Sequence, residues 1–193
     1  MRVIAGQYRS RPLRSLRGLD LRPTADRLRE TLFNVLTAGN PSALEGTVWL
    51  DLYAGTGAVG IEALSRGAKT VYFVESAASA AELVQQNLQS LKVASGFTIL
   101  KQDVSRALRD LAVKPVRADF VFLDPPYRLE GEYEKTLQAL SESALLNPNA
   151  LVIAEHHKKF DPGKEFAELR RYRKLEQGDA ALSFYKTGDT LHQ

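Results

Sequence analysis

Asp124-Pro125-Pro126-Tyr127 stands directly after an apolar run, Asp119–Leu123. The tetrapeptide has the parts needed to hold an amine. Two prolines fix their own φ and restrict the residue before each, so the carbonyls there point in set directions. An exocyclic amine on a base ring is a weak nucleophile, because its lone pair is delocalised into the ring. Two acceptors around its protons, the Asp124 carboxylate and the Pro125 carbonyl, hold its nitrogen partly pyramidal and aim the lone pair outward. Tyr127 offers a flat face on which a base can stack. In-line transfer of a methyl group needs mainly this positioning, with the proton leaving afterwards to Asp124 or to water. A rigid turn that only starts a helix would use the same prolines, so the motif gains meaning from what precedes it.

What precedes it is a glycine loop. Asp51-Leu52-Tyr53-Ala54-Gly55-Thr56-Gly57-Ala58-Val59-Gly60 follows an apolar run and opens a helical one. Glycines there allow a tight turn and close approach of backbone to a ligand. A G-x-G-x-x-G spacing alone is ambiguous among nicotinamide, flavin and S-adenosylmethionine sites, or a bare strand-to-helix turn. Asp51 separates them: a carboxylate at the strand end repels a pyrophosphate but suits the cationic amino and sulfonium region of S-adenosylmethionine. Glu75 closes the second strand, where an acid accepts both ribose hydroxyls of either kind of nucleotide. Asp103 follows the third strand and can accept from an adenine amine, while the Val104 N–H meets a ring nitrogen. Each acid taken singly is equally well a strand-end or helix-cap residue. The candidate cofactor set is Asp51, Ala54, Gly55, Thr56, Gly57, Gly60, Glu75, Ser76, Asp103 and Val104.

The elements that must position these groups are legible as alternation. Thr47–Leu52, Thr70–Glu75, Phe97–Leu100, Asp119–Leu123 and Ala150–Ala154 read as buried strands. Between them Ala58–Arg66, Ala77–Leu91, Val104–Leu111 and Glu132–Leu145 read as helices, and Asp26–Leu36 as a helix before the first strand. Strands alternating with helices predict a mostly parallel sheet covered on both faces. Leu169–Leu175 and Ala180–Lys186 flank Gly178-Asp179 and predict a closing antiparallel hairpin. The expected division is a basic hairpin-like extension over 1–22, a domain over 23–186 and a loose tail over 187–193.

Charge points to a partner. Residues 1–30 hold eight arginines, no lysine and three acids, a net +5, while the remaining 163 residues carry −2. Arginine forks onto phosphate and stacks on bases better than lysine does. The start of the chain therefore reads as a nucleic-acid-facing arm or as a solvated basic surface. Cysteine is absent, which removes disulfides and thiolate chemistry and suits a reducing cytosol. No apolar run is long enough to span a membrane, and Met1–Gly6 lacks the apolar core of a leader. His156 and His157 lack further ligands at metal spacing, so no metal is expected.

Three blocks together resemble the RsmD family of bacterial 16S ribosomal RNA methyltransferases. They are Arg22-Pro-Thr-Ala-Asp-Arg-Leu-Arg-Glu-Thr-Leu-Phe-Asn34, the stretch Asp51 to Ala68 with its Glu-Ala-Leu-Ser-Arg-Gly-Ala ending, and Asp124-Pro-Pro-Tyr127. The likeness runs from about Arg2 to Lys186. Tyr53 and Thr56 stand where the family more often has Phe and Ser, and Gln177 where it often has an aromatic. The resemblance implies a class I S-adenosylmethionine-dependent methyltransferase fold: α/β, Rossmann-like, a mostly parallel seven-stranded sheet with an antiparallel last strand, and a small basic N-terminal appendage. It implies S-adenosylmethionine as donor and S-adenosylhomocysteine as product. The acceptor would be the N2 amine of one guanine of 16S rRNA in the small ribosomal subunit, reached by a cytoplasmic monomer. Asp124, Pro125, Pro126 and Tyr127 would be catalytic, and Arg2, Arg9, Arg11, Arg14, Arg22 and Arg27 would hold RNA. A DNA or other-RNA amino-methyltransferase (adenine N6 or cytosine N4), a protein-glutamine methyltransferase, an NAD oxidoreductase and a non-catalytic RNA-binding assembly factor are the competing readings. The chemistry of Asp-Pro-Pro-Tyr does not by itself tell guanine N2 from adenine N6.

Overall fold

Apolar runs alternating with amphipathic ones fold into a single sheet with helices on both faces. A computed structural model describes residues 1–15 and 23–187. Arg17, Arg22, the expected boundary at 22/23 and the tail from 188 onward lie outside the described residues. The elements run α1 (Pro23–Leu36), β1 (Val48–Leu52), α2 (Ala58–Ser65), β2 (Thr70–Val74), α3 (Ala78–Ser90), β3 (Phe97–Leu100) and α4 (Val104–Ala112). They continue as β4 (Ala118–Leu123), α5 (Gly131–Ser141), β5 (Leu146–His157), β6 (Glu165–Phe166), β7 (Leu169–Gln177) and β8 (Ala180–Thr187).

The strand order is β3-β2-β1-β4-β5-β8-β7-β6. Strands β1 to β5 are mutually parallel, and β8 runs antiparallel to both β5 and β7. The sheet has one strand more than the expected seven, the two-residue β6 at its edge. Chain order reverses between β1 and β4, which is where open α/β sheets bind ligands, beyond the carboxyl ends of the strands. Asp51 lies in β1 next to its end and Asp124 follows the end of β4, so the topology sets these two acids side by side.

Alternation within each strand divides the core. Trp49, Phe120 and Phe184 face α1, α2 and α3, while Leu50, Val121 and Tyr185 face α4 and α5. Trp49 is fully buried, with its ring stacked between Phe33 at 5.5 Å and Phe120 at 5.0 Å.

Two boundaries differ from the sequence reading by four residues, more than any other. Helix α5 stops at Ser141, four residues short of Leu145. The Ser141 hydroxyl donates to the Phe166 carbonyl and accepts from the Glu168 N–H at 2.7 Å. It thereby joins the helix end to the segment carrying β6. Strand β5 begins earlier than Ala150 and passes through Pro148, which falls in an irregular stretch between the Ala118–Leu146 and Phe120–Leu151 pairings. A missing N–H breaks no regular ladder there.

The first 13 residues form a small hairpin, with Arg2 bridging Pro12 and the Val3 N–H donating to Arg11 at 3.0 Å. It is bolted to α2. The N–H groups of Ile4 and Ala5 donate to the two oxygens of Glu62 at 2.8 and 2.9 Å, and Tyr8 N–H donates to Ser65 Oγ at 2.9 Å. Gly6, at φ 81°, lies so close to α2 that a Cβ there would sit 1.9 Å from the Ser65 carbonyl oxygen.

Candidate active site

The glycine loop is built from left-handed backbone and held by acids. Gly55 and Gly57 have φ of 55° and 76°, and Gly57 caps α2. Gly60 serves a different purpose: a Cβ there would lie 2.4 Å from Phe73 Cε1 and 2.9 Å from Asp51 Oδ2. Helix α2 can rest on β1 and β2 only because that position has no side chain. Ala54, Thr56 and Ser76 line the same end of the sheet by their place in the chain.

Asp51 is buried, and its Oδ2 accepts the Gly60 N–H at 2.9 Å. Burial pushes its pKa up to about 8; the Gly60 bond opposes the rise, and the charges of Asp124 and Glu75 add to it. Asp124 is raised by burial to about 7. Glu155, just past the last pairing of β5 with β4, is raised well above the usual range by burial and by Asp124, against the pull of Arg29. Asp124 is thus repelled by an acid from the strand on either side, Asp51 and Glu155, and a cation entering there relieves that repulsion.

Glu75 and Asp103 already have structural work. Glu75 accepts the N–H groups of Gly55 at 2.9 Å and Ala77 at 2.8 Å, which shapes the loop. Asp103 caps α4 through the Arg106 N–H at 2.9 Å, and Val104 behind it is buried. Each carboxylate keeps acceptor capacity beyond these bonds.

The Asp-Pro-Pro-Tyr loop is held from behind by Tyr133 of α5. Its hydroxyl reaches the Glu155 carbonyl at 2.8 Å and the Pro125 carbonyl at 3.4 Å. Pro126 is exposed, and Tyr127 is 49% exposed, its ring edge-on to His157 with centroids 6.1 Å apart. A cleft of about 430 Å³ opens beside it, with Tyr127, Tyr133, His157, Lys159 and Phe160 among its walls. A hollow of about 630 Å³ against α3 and the edge strand β3 is larger, but it holds none of the candidate residues.

The arginines divide by accessibility. Arg2, Arg9, Arg11, Arg14 and Arg27 are exposed, with Arg11 resting on the Ser90 carbonyl at 3.2 Å and Arg14 on Gln86 at 3.1 Å. Arg22 lies outside the described residues. Arg29 is buried instead, donating to the Arg2 carbonyl and to Asp26, and lying 3.9 Å from Glu62. His156 is buried on Ser183 Oγ at 2.9 Å. Among the described residues no three His, Cys, Asp or Glu gather as metal ligands do. None of their helices is long and apolar enough to cross a membrane.

Sequence reasoning passed over Glu155, Tyr133 and Asn87. Glu155 carries the same signal as Asp51 and Glu75, an acid at the end of a parallel strand. Tyr133 and Asn87 sit on helices, and nothing local marks what they reach.

Comparison with known proteins matches residues 1–186 to the family described as Conserved hypothetical protein 95. Ribosomal RNA small subunit methyltransferase D of Haemophilus influenzae is 40% identical over 159 residues, covering 82% of this chain and 79% of that protein. The protein of the same name from Escherichia coli K12 is 37% identical over 155 residues, covering 80% and 74%. Among solved structures, the Escherichia coli candidate methyltransferase yhhF superimposes with a TM-score of 0.80 at 31% identity, over 97% of each chain.

Proposed function

The chain belongs to the Conserved hypothetical protein 95 (RsmD) family, and we propose that it methylates ribosomal RNA of the small subunit, transferring the methyl group of S-adenosylmethionine to a guanine N2 amine. The observation that carries the reading is the closeness of Asp51 and Asp124 at the ends of adjacent parallel strands, one behind the glycine loop and the other opening Asp-Pro-Pro-Tyr. The donor set fits this cofactor. Buried acids that repel one another favour a ligand carrying positive charge at that end, and they disfavour a pyrophosphate. When bound, S-adenosylmethionine supplies a methyl group on a cationic sulfur that leaves as a neutral thioether.

The chain's own residues do the rest. Asp51 faces the cationic end, Glu75 accepts ribose hydroxyls, and Asp103 with the Val104 N–H meets the adenine edge. The Asp124 carboxylate and the Pro125 carbonyl would accept hydrogen bonds from the two amine N–H groups, leaving the nitrogen lone pair free to meet the methyl group. With the donor bound, Asp124 or water would take the amine proton released as the N–C bond replaces the S–C bond. Tyr127 stacks the target base, which must leave its own stack to reach the loop. The exposed arginines of the N-terminal hairpin hold RNA phosphates.

The test is methyl transfer from labelled S-adenosylmethionine to small ribosomal subunits lacking the modification, with the methylated nucleotide mapped, for wild type beside Asp124→Ala. Label at a guanine N2 with wild type only is the expected result. Cofactor binding without transfer to subunits would overturn the assigned acceptor, and label at adenine N6 or cytosine N4 would reassign the base.

A further inference from the structure

The side chain of Asn87, on α3, is fully buried and spends every polar atom on two distant segments. Its Oδ1 accepts the Arg14 N–H at 2.8 Å, and its Nδ2 donates to the Arg14 carbonyl at 3.1 Å and to the Thr56 carbonyl at 3.0 Å. Backbone partners fix which end of the amide is which, because an N–H only donates and a carbonyl only accepts. Thr56 lies between the two left-handed glycines of the loop, and Arg14 follows directly on the arginine-bearing hairpin, whose last bond is Leu13 N–H to the Met1 carbonyl. The hairpin is also held by Glu62 and Ser65 of α2, by Arg29 of α1 and through Arg11 on Ser90 of α3, and the Thr56 hydroxyl makes a long contact of 3.9 Å to Met1 Sδ. Asn87 alone among the described side chains bonds both the backbone at the foot of the hairpin, Arg14, and the glycine-loop backbone.

We infer that Asn87 is a positioning residue that couples the two binding events, so that cofactor on the glycine loop and RNA on the arginine hairpin strengthen each other. This rests on the reading above. The route is short. Glu75 holds the Gly55 N–H, so a ligand that engages Glu75 shifts or stiffens the loop at Gly55. The next residue is Thr56, whose carbonyl is tied through Asn87 to both backbone groups of Arg14. Ordering one end lowers the cost of ordering the other, and linkage makes the effect reciprocal. Aspartate at this position keeps the acceptor but presents a second acceptor to two carbonyls, so it breaks the link with nearly no change in volume.

Two measurements test it. In wild type, amide exchange at Arg14 is followed with and without S-adenosylhomocysteine, which needs neither RNA nor a variant. The expected result is severalfold slower exchange on binding; unchanged exchange overturns the link. Then S-adenosylhomocysteine affinity is measured with and without small ribosomal subunits, for wild type and Asn87→Asp. RNA is expected to tighten wild-type binding about fivefold or more, and the factor is expected to fall to about one in the variant. A variant that folds and keeps the wild-type factor overturns the role of Asn87. A wild type that binds S-adenosylhomocysteine but no RNA overturns the proposed function and the RNA half of the coupling, while the Arg14 exchange still decides the internal link.

Discussion

The Gly60 N–H donates to Asp51 Oδ2 across 2.9 Å, and a Cβ on Gly60 would come equally close to that same oxygen. The acid is therefore both oriented and crowded by the first turn of α2. Gly60→Ala adds a methyl group 2.4 Å from Phe73 Cε1 and 2.8 Å from Val71 Cγ1. Helix α2 must lift, at a cost of about 1–3 kcal/mol for overpacking. Denaturant unfolding is expected to show that loss, and calorimetry a weaker grip on S-adenosylhomocysteine. Unchanged values for both would mean that the helix yields freely.

Asp51 sets a pH dependence of stability. Its pKa rises on folding from 3.8 to about 8, mainly through burial. An acid raised in this direction contributes fully below its unfolded value, and the contribution is lost as pH climbs through the folded one. Asp124, raised to about 7, acts in the same sense. The ligand-free protein is expected to melt at progressively lower temperature from pH 5 to pH 8.5, and Asp51→Asn to flatten that slope. A wild-type profile level over this range would contradict the burial of the charge. Cofactor affinity should move oppositely, tightening with pH as Asp51 ionises toward the cationic end.

Much of this site was legible because its signals are local. Glycine spacing, prolines and acids at the ends of apolar runs located Asp51, Glu75, Asp103 and Asp124 without knowledge of neighbours. The sheet followed from alternation, since a parallel strand buried on both faces reads as an apolar run. What stayed hidden joins segments far apart in sequence. Asn87 lies on the buried face of α3, between Val84 and Leu88, and its amide reaches Arg14, 73 residues away. Glu62 has no local signal, yet it is wholly buried beneath the N-terminal hairpin. Arg29 could not be told from the exposed Arg27, although only its side chain turns inward. No periodicity encodes such pairings, because each depends on where another element docks.

Glu62 carries the docking of the hairpin. It accepts from Ile4, Ala5 and Arg66, the last at 2.8 Å, with Arg29 at 3.9 Å. Glu62→Gln keeps the shape, but it takes the counter-charge from the largely buried Arg66, leaves Arg29 only Asp26 at 3.1 Å, and places an amide NH₂ against backbone donors. Breaking a buried pair in this way costs about 3–5 kcal/mol. Chemical denaturation is expected to show that loss, and limited proteolysis to release the first residues. A stability within about 1 kcal/mol of wild type, on the scale of ordinary surface changes, would show that the hairpin is held mainly by its apolar packing.

Arg9 is exposed on the hairpin and enters no ion pair among the described residues. Removing one arginine from a phosphate should lower the dependence of log K on log salt by about one. Arg9→Ala is expected to weaken RNA binding at low salt and reduce that slope by about one, with S-adenosylhomocysteine affinity unchanged. Filter binding across a salt series reads both. A slope equal to wild type would remove Arg9 from the RNA footprint.

Tyr133 separates positioning from binding. Its hydroxyl holds the Glu155 carbonyl at 2.8 Å and leans toward the Pro125 carbonyl at 3.4 Å, the group proposed to accept an amine proton. Tyr133→Phe keeps the ring against Phe160, 5.1 Å away, so the wall of the cleft survives. It removes only the atom that fixes the loop from behind. A misaimed acceptor acts on the transition state more than on ground-state binding, so kcat should fall about tenfold, roughly 1.4 kcal/mol. KM for S-adenosylmethionine should stay level, because no cofactor residue has moved. A raised KM with kcat intact would instead assign Tyr133 to binding, and unchanged kinetics would show that the two prolines stiffen the loop on their own.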